Sequence, residues 1–296
     1  MADLNSVQRP VSELLILAKI SIPGSPDWVA IDNQAVWVSN NSKNSLARID
    51  PDSNELVATV AVSRAPCSGL AAGFGSVWSP SCLDQRIDRV DSATNTITAQ
   101  IPVGVADSEG GIAAGGGAVW MMTSKNGTLS RIDPATTKIV KQIQVDSGSF
   151  AIAATTQAVW ITSTAHGVLI RVDPHTNQVV ARIQTGPSPR FLCTTTDSVW
   201  VLNQGDGTVT RVDAHSNQVI TTIKVGDGGP GGDIAAGEGA VWVTAVNVPL
   251  TRIDPATNKV TSQFVGPGGD AIRAGHGSIW LCSFFLQEMW RVKPLI

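Results

Sequence analysis

A tryptophan preceded by Val or Ile recurs along this 296-residue chain, at Trp37, Trp78, Trp120, Trp160, Trp200, Trp242 and Trp280. Successive spacings are 41, 42, 40, 40, 42 and 38 residues. An arginine answers each tryptophan, at Arg48, Arg89, Arg131, Arg171, Arg211, Arg252 and Arg291; the interval is 11 residues except in the sixth repeat, where it is 10. Such a unit cannot bury its apolar face alone, so copies must stack on one another. Within each repeat the residue types alternate with a period of two, which is the texture of strands. The third repeat reads as four of them: "GIAAG", "AVWMM", "TLSRID" and "KIVKQIQV". Two-residue turns such as "GFGS", "GEGA" and "GHGS" join the first strand to the second. Turns such as "DPATNK" join the third to the fourth, with Asp, Pro and Asn supplying the geometry. Four antiparallel strands repeated seven times make an all-β, seven-bladed β-propeller.

The two ends complete one another. The seventh repeat stops at "RVKPLI", before a fourth strand, and the chain starts with an unmatched fourth strand in "ELLILAKISIP". Residues from about 12 to 22 are expected to pair with the strand around Arg291, closing the ring and removing an exposed edge. The reading is one domain over 1–296, with residues 1–11 a flexible N-terminal extension. Apolar residues make up 43%, enough for a sizeable core, and the net charge is −3 with the signs interspersed. No basic face tracks phosphates, so nucleic acid is not an expected partner. The apolar run "LLILAKISI" is interrupted by Lys19 and is too short to span a bilayer, so no membrane partner is expected. "MADLNSVQRPVSE" has no basic region leading into an apolar core, so no signal peptide is visible.

The recurring phrase "[VI]-W-[VI]-x-N … R-[IV]-D-P-x-T-N-x-V" resembles the YVTN-type propeller repeat of bacterial proteins. The arrangement of seven such blades also resembles the virginiamycin B (streptogramin B) lyase group, over nearly the whole chain. That resemblance implies a propeller with a lyase-type site. Catalysis in that group is attributed to histidines on the loops leading into the first strands, with a glutamate and Mg²⁺. The matching positions here, ten before each tryptophan, hold Asp27, Ser68, Gly110, Phe150, Arg190, Gly232 and Asp270, and none is His. The group's catalytic histidines therefore do not carry over, and another base, such as Glu109, would have to serve.

Residues that recur in every blade build the scaffold, and the exceptions are the candidates. Function in such a fold sits on loops at one mouth of the ring. Next to the variable positions stand Trp28, Glu109, Ser149, Phe191 and Asp233, and the loops between second and third strands add Asn40, His166, Asn203, Gln204 and Asp206. Seven residues before each tryptophan the column reads Ala30, Ala71, Ala113, Ala153, Cys193, Ala235 and Arg273. A guanidinium in place of Ala needs a carboxylate, here Asp270 or Asp233, or else an anionic ligand. Both readings of Arg273 stay open. Glu109, Asp233 and Asp270 are the candidate acid–base residues. Arg190 and Arg273 are the candidate anchors for an oxyanion. Asn203, Gln204, Asp27, Trp28, Ser149, Phe191 and His166 complete the set for a polar small-molecule ligand.

Two other function classes remain. Glu109, Asn203, Asp233 and Asp270 offer hard oxygens for a divalent cation, Ca²⁺ or Mg²⁺, as in a metal-dependent lactonase or other hydrolase. A non-catalytic binding propeller is the third class. His175 and His215 lie in turns and read as solvated residues, and His276 sits in the turn "GHGS" at the far face. Cys67 lies seven positions before Phe74 and Cys82 seven after Gly75, so a two-residue turn at Phe74-Gly75 places them opposite one another. That predicts a disulfide and a periplasmic or secreted home, with the cytoplasm not excluded. Cys193 and Cys282 are expected to stay reduced, and the chain to act as a monomer.

Overall fold

The computed structural model describes residues 4–67, 69–106 and 109–294. Among these residues the strands form seven sheets. Five follow chain order and two also take a strand from the N-terminus, and the chain is a seven-bladed β-propeller with four antiparallel strands per blade. Blade 3 shows the pattern: Ile112–Gly115, Ala118–Ser124, Thr128–Asp133 and Lys138–Gln144. In the last blade, Ile272–Gly275, Ser278–Ser283 and Glu288–Val292 are completed by the N-terminal Ile16–Ser21, with Ala18 opposite Arg291. Contacts gather into two compact units, Trp28–Arg182 and Met1–Asp27 with Ile183–Ile296. The first carries blades 1–4 and the second blades 5–7.

The repeated residues explain the blades. All seven tryptophans on the second strands are almost wholly buried. Each is directly opposed by its arginine, as in Trp120↔Arg131 and Trp200↔Arg211. The guanidinium lies over the indole at 4.7 Å for Arg211 and 5.3 Å for Arg131, a cation–π contact. In blades 2, 3 and 5 its Nη1 then reaches the following blade. Arg89 donates to the Pro134 carbonyl, Arg131 to the Pro174 carbonyl and Asn177 Oδ1, and Arg211 to the Pro255 carbonyl and Asn258 Oδ1. In those blades the arginine is thus a staple between neighbours. The Asp two residues on closes its own turn, as when Asp133 accepts the Ala135 N–H.

The turns have the backbone their residues demand. Phe74 and Gly75 have φ of 57° and 69°, as do Glu238 and Gly239 at 50° and 76°, the left-handed pair of a type I′ hairpin. The innermost strands pass so close that a Cβ on Gly115 would lie 2.3 Å from the Ala154 carbonyl oxygen. At Gly115 the absence of a side chain is a steric requirement.

The N-terminus departs from expectation. Part of the segment read as a flexible extension forms a strand, Gln8–Pro10, which adds a fifth, parallel member to blade 6 along Gln263–Val265. Gln8 Nε2 donates to Gln263 Oε1 at 2.7 Å. Its side chains are exposed, so no apolar periodicity marked it in the sequence.

Candidate functional site

In the unit of blades 5–7, Arg273 stands on the innermost strand of blade 7, opposite Trp280. Its Nη1 donates to Asp233 Oδ2 at 2.6 Å and to the Ile272 carbonyl at 2.5 Å. Asp233, on the loop leading into blade 6, is 4% exposed. Its Oδ1 accepts the Ile234 N–H at 2.8 Å and its Oδ2 the Ile272 N–H at 3.1 Å. Blade 7 is thereby tied to blade 6. The Asp233 N–H donates to Thr244 Oγ1, whose own hydroxyl donates to the Asp270 carbonyl. Of the two carboxylates proposed as partners of Arg273, Asp233 is the one engaged. The bond uses one nitrogen, and the Arg273 side chain keeps 30% of its surface exposed.

Two thiols report the surrounding field. Burial pushes Cys193 well up, the Asp233 carboxylate adds to the rise and Arg273 opposes it. Cys282 is raised by burial, then by the charges of Asp27 and Asp270. Both are free thiols, and both stay protonated at neutral pH, so neither supplies a nucleophilic thiolate. Asp27 and Asp270 are half-buried. Arg190 is half-buried with Cζ 5.8 Å from the ring of Phe191, which is buried. Asn203 is buried, its amide nitrogen donating to Thr208 Oγ1 and Thr210 Oγ1. Gln204 Nε2 donates to the Gly231 carbonyl, and the Gln204 carbonyl accepts the Gly229 N–H. Gln204 thus pins the loop that delivers Asp233.

The remaining candidates lie in the unit of blades 1–4. Trp28 is a core residue whose backbone N–H donates to Ser39 Oγ. Ser149 is buried and donates to the Asp146 carbonyl. Glu109 is exposed, and so is His166, whose Nδ1 lies 3.1 Å from Ser163 Oγ. Ser68 lies outside the described residues. Cys67 and Cys82 are joined in a disulfide with Cα atoms 5.9 Å apart. His215 is an exposed turn residue, 3.3 Å from Asp197.

The metal reading asks whether these residues can hold a cation. Asp233 already accepts three hydrogen bonds, one from a guanidinium, and is closed to solvent. Among the described residues no group of three or more His, Cys, Asp or Glu side chains gathers as a metal site. The donor set therefore does not fit a resident cation in this arrangement, and no step is derived through one.

Sequence reasoning missed Thr244, whose hydroxyl joins the loops of Asp233 and Asp270. It also missed the apolar loop Phe284-Phe285-Leu286. The signal for that loop was present: the other six loops between second and third strands each carry Asn, Asp or Gly, and this one carries none.

No family model matches the chain, and no curated protein matches it by sequence. Solved structures do. The selenomethionine-substituted virginiamycin B lyase from Staphylococcus aureus superposes with a TM-score of 0.77 at 16% identity, over 94% of this chain and 99% of that one. A streptogramin B lyase structure gives 0.76 at 17% identity, over 95% and 96%. At this identity the likeness is one of fold: the chain is a seven-bladed β-propeller similar to these lyases.

Proposed function

We propose that this propeller binds a polar, anionic small molecule at Arg273 and acts on it as a lyase-type enzyme. One observation carries the reading: a guanidinium replaces Ala at a position that the other blades keep small, and its bond to Asp233 leaves part of it facing outward. A fork held on one edge and open on the other suits an oxyanion. In an elimination next to a carbonyl, that fork would steady the charge that develops on oxygen. Asp233 then holds Arg273 in place, because its oxygens are already committed. The acid–base role falls to the half-buried Asp270. The fold shared with two lyases supports the reaction class. The Cys67–Cys82 disulfide supports an oxidising compartment, periplasmic or secreted.

The test is a thermal-shift screen of small carboxylates and phosphates, with and without added Mg²⁺ or Ca²⁺, followed by turnover assays on the hits. Arg273→Ala should abolish the shift, and Asp270→Asn should keep binding while turnover falls by roughly 10²-fold or more. Hits that survive Arg273→Ala place the site elsewhere. Hits without turnover make the propeller a binding protein.

A further inference from the structure

A cleft of about 330 Å³ opens between the outer strands of blades 5 and 6, and Arg273 does not line it. One wall is the outer strand of blade 5, Val219–Lys224, whose residues 221–224 line the cleft in succession. Successive side chains of a strand point to opposite faces, so an unbroken run meets a cleft along the strand's edge. That edge is open. Val219–Lys224 is last in its sheet and pairs only with the third strand, Thr208–Asp213. Among the described residues, the backbone groups on its outer side find no partner. The other wall is Asn258, Lys259 and Val260 of blade 6. Arg211 fixes this wall by donating to Asn258 Oδ1 at 2.7 Å.

An open edge is a template for another strand. Blade 6 already carries one on its own outer strand, Gln8–Pro10. The edge of blade 5 also puts Val219 and Ile220 into water, each 45% exposed, so it offers apolar contacts beside its backbone groups.

Charge decides which strand fits. Lys224 and Lys259 stand on the two walls, and no lining side chain is a carboxylate. Lys224 Nζ donates to the Asp206 carbonyl at 2.6 Å, a neutral acceptor that leaves its charge unmatched. Lys259 stands opposite Asp254 in register, but that carboxylate accepts from the Ala256 N–H and the Thr257 hydroxyl. Neither lysine has an ion pair among the described residues. We propose that the cleft between blades 5 and 6 binds an extended acidic peptide, which adds as a fifth strand along Val219–Lys224 with its carboxylates on Lys224 and Lys259. This surface is separate from Arg273 and independent of the lyase reading.

Titration calorimetry and amide hydrogen exchange test it with capped peptides. The first is acetyl-Thr-Glu-Val-Glu-Val-Thr-amide. A second carries Lys for Glu, and a third carries Pro for Val, which keeps the charge but cannot pair as a strand. The glutamate peptide should bind at least about tenfold more tightly than either of the others. It should also slow exchange at Val219–Lys224. Lys259→Glu, a change at an exposed side chain, should erase the preference for the glutamate peptide over the lysine one. If the proline peptide binds equally well, the cleft reads charge alone and the proposal falls. It falls too if the lysine peptide binds as tightly, if Lys259→Glu leaves the preference intact, if protection appears only outside Val219–Lys224, or if nothing binds. Protection of Val219–Lys224 that grows with protein concentration before any peptide is added makes a second copy the occupant and overturns the proposal.

Discussion

At the scale of single residues, one arginine position does different work in different blades. Arg211 sits 4.7 Å from the Trp200 ring and donates to the Pro255 carbonyl and Asn258 Oδ1 of blade 6. Arg252 sits 5.9 Å from Trp242 and donates to Thr261 of its own blade. The reason is the missing acceptor: blade 7 has no turn between third and fourth strands, because its fourth strand comes from the N-terminus. Arg211→Ala should therefore cost about 2–4 kcal/mol, the sum of a cation–π contact and charged hydrogen bonds. Arg252→Ala should cost clearly less. Urea unfolding of the two variants measures the difference, and equal losses would contradict the staple. The shorter interval before Arg252 left a trace in the sequence, yet Trp242 still faces Arg252 because an irregularity between Val243 and Ala245 absorbs it. At Arg273 the sequence marked the exception and left two readings open. Only side-chain geometry chose Asp233 over Asp270 as its partner, since loop residues have no register that a sequence can count.

At the scale of elements, the six turns between third and fourth strands act as acid-sensitive clasps. Asp50, Asp91, Asp133, Asp173 and Asp213 are held below the usual carboxylate range chiefly by backbone N–H bonds. At Asp254 the Thr257 hydroxyl comes first. Each turn also places a residue in the left-handed region, from Asn54 at φ 62° to Asn258 at φ 58°. A depressed carboxylate contributes stability that is present above its unfolded pKa of about 4 and is lost as pH falls through the lower folded value. The melting midpoint should therefore fall steadily below about pH 4. Asp133→Asn with Asp213→Asn should fall less steeply, because the amide oxygen accepts the same bonds at every pH. A midpoint that stays flat into strong acid would contradict the clasp. These turns and the I′ hairpins were legible in full, because their chemistry is local. The strand Gln8–Pro10 was not, because its pairing with blade 6 joins residues some 255 positions apart and its side chains face water.

At the scale of the whole molecule, the last blade is completed from the other end of the chain, and that gives a contrast between two deletions. Loss of residues 1–13 removes the added fifth strand, which lies along an edge and buries none of its side chains, and two short 3-10 turns, of which Val11 packs partly buried against the core. Loss of residues 1–22 also removes Leu14, Ile20 and Ile22, all buried, each stabilising by about 1.5–3 kcal/mol. It leaves Glu288–Val292 as an open edge as well. Calorimetry should show a small fall in melting temperature for the first deletion and a fall of roughly 10 °C or more for the second. Similar melting for both would contradict closure by the N-terminal strand. The sequence by itself determined the number of blades, the strands in each, the identity of the closing strand and the facing of Cys67 and Cys82. All of these follow from a repeat period and a strand period that can be counted along the chain. The tertiary structure alone decided which carboxylate holds Arg273, which candidate residues are buried as core, and which loop stands out into water. Those outcomes depend on side chains from different repeats meeting in space, where burial and hydrogen bonds compete and no periodicity records the winner.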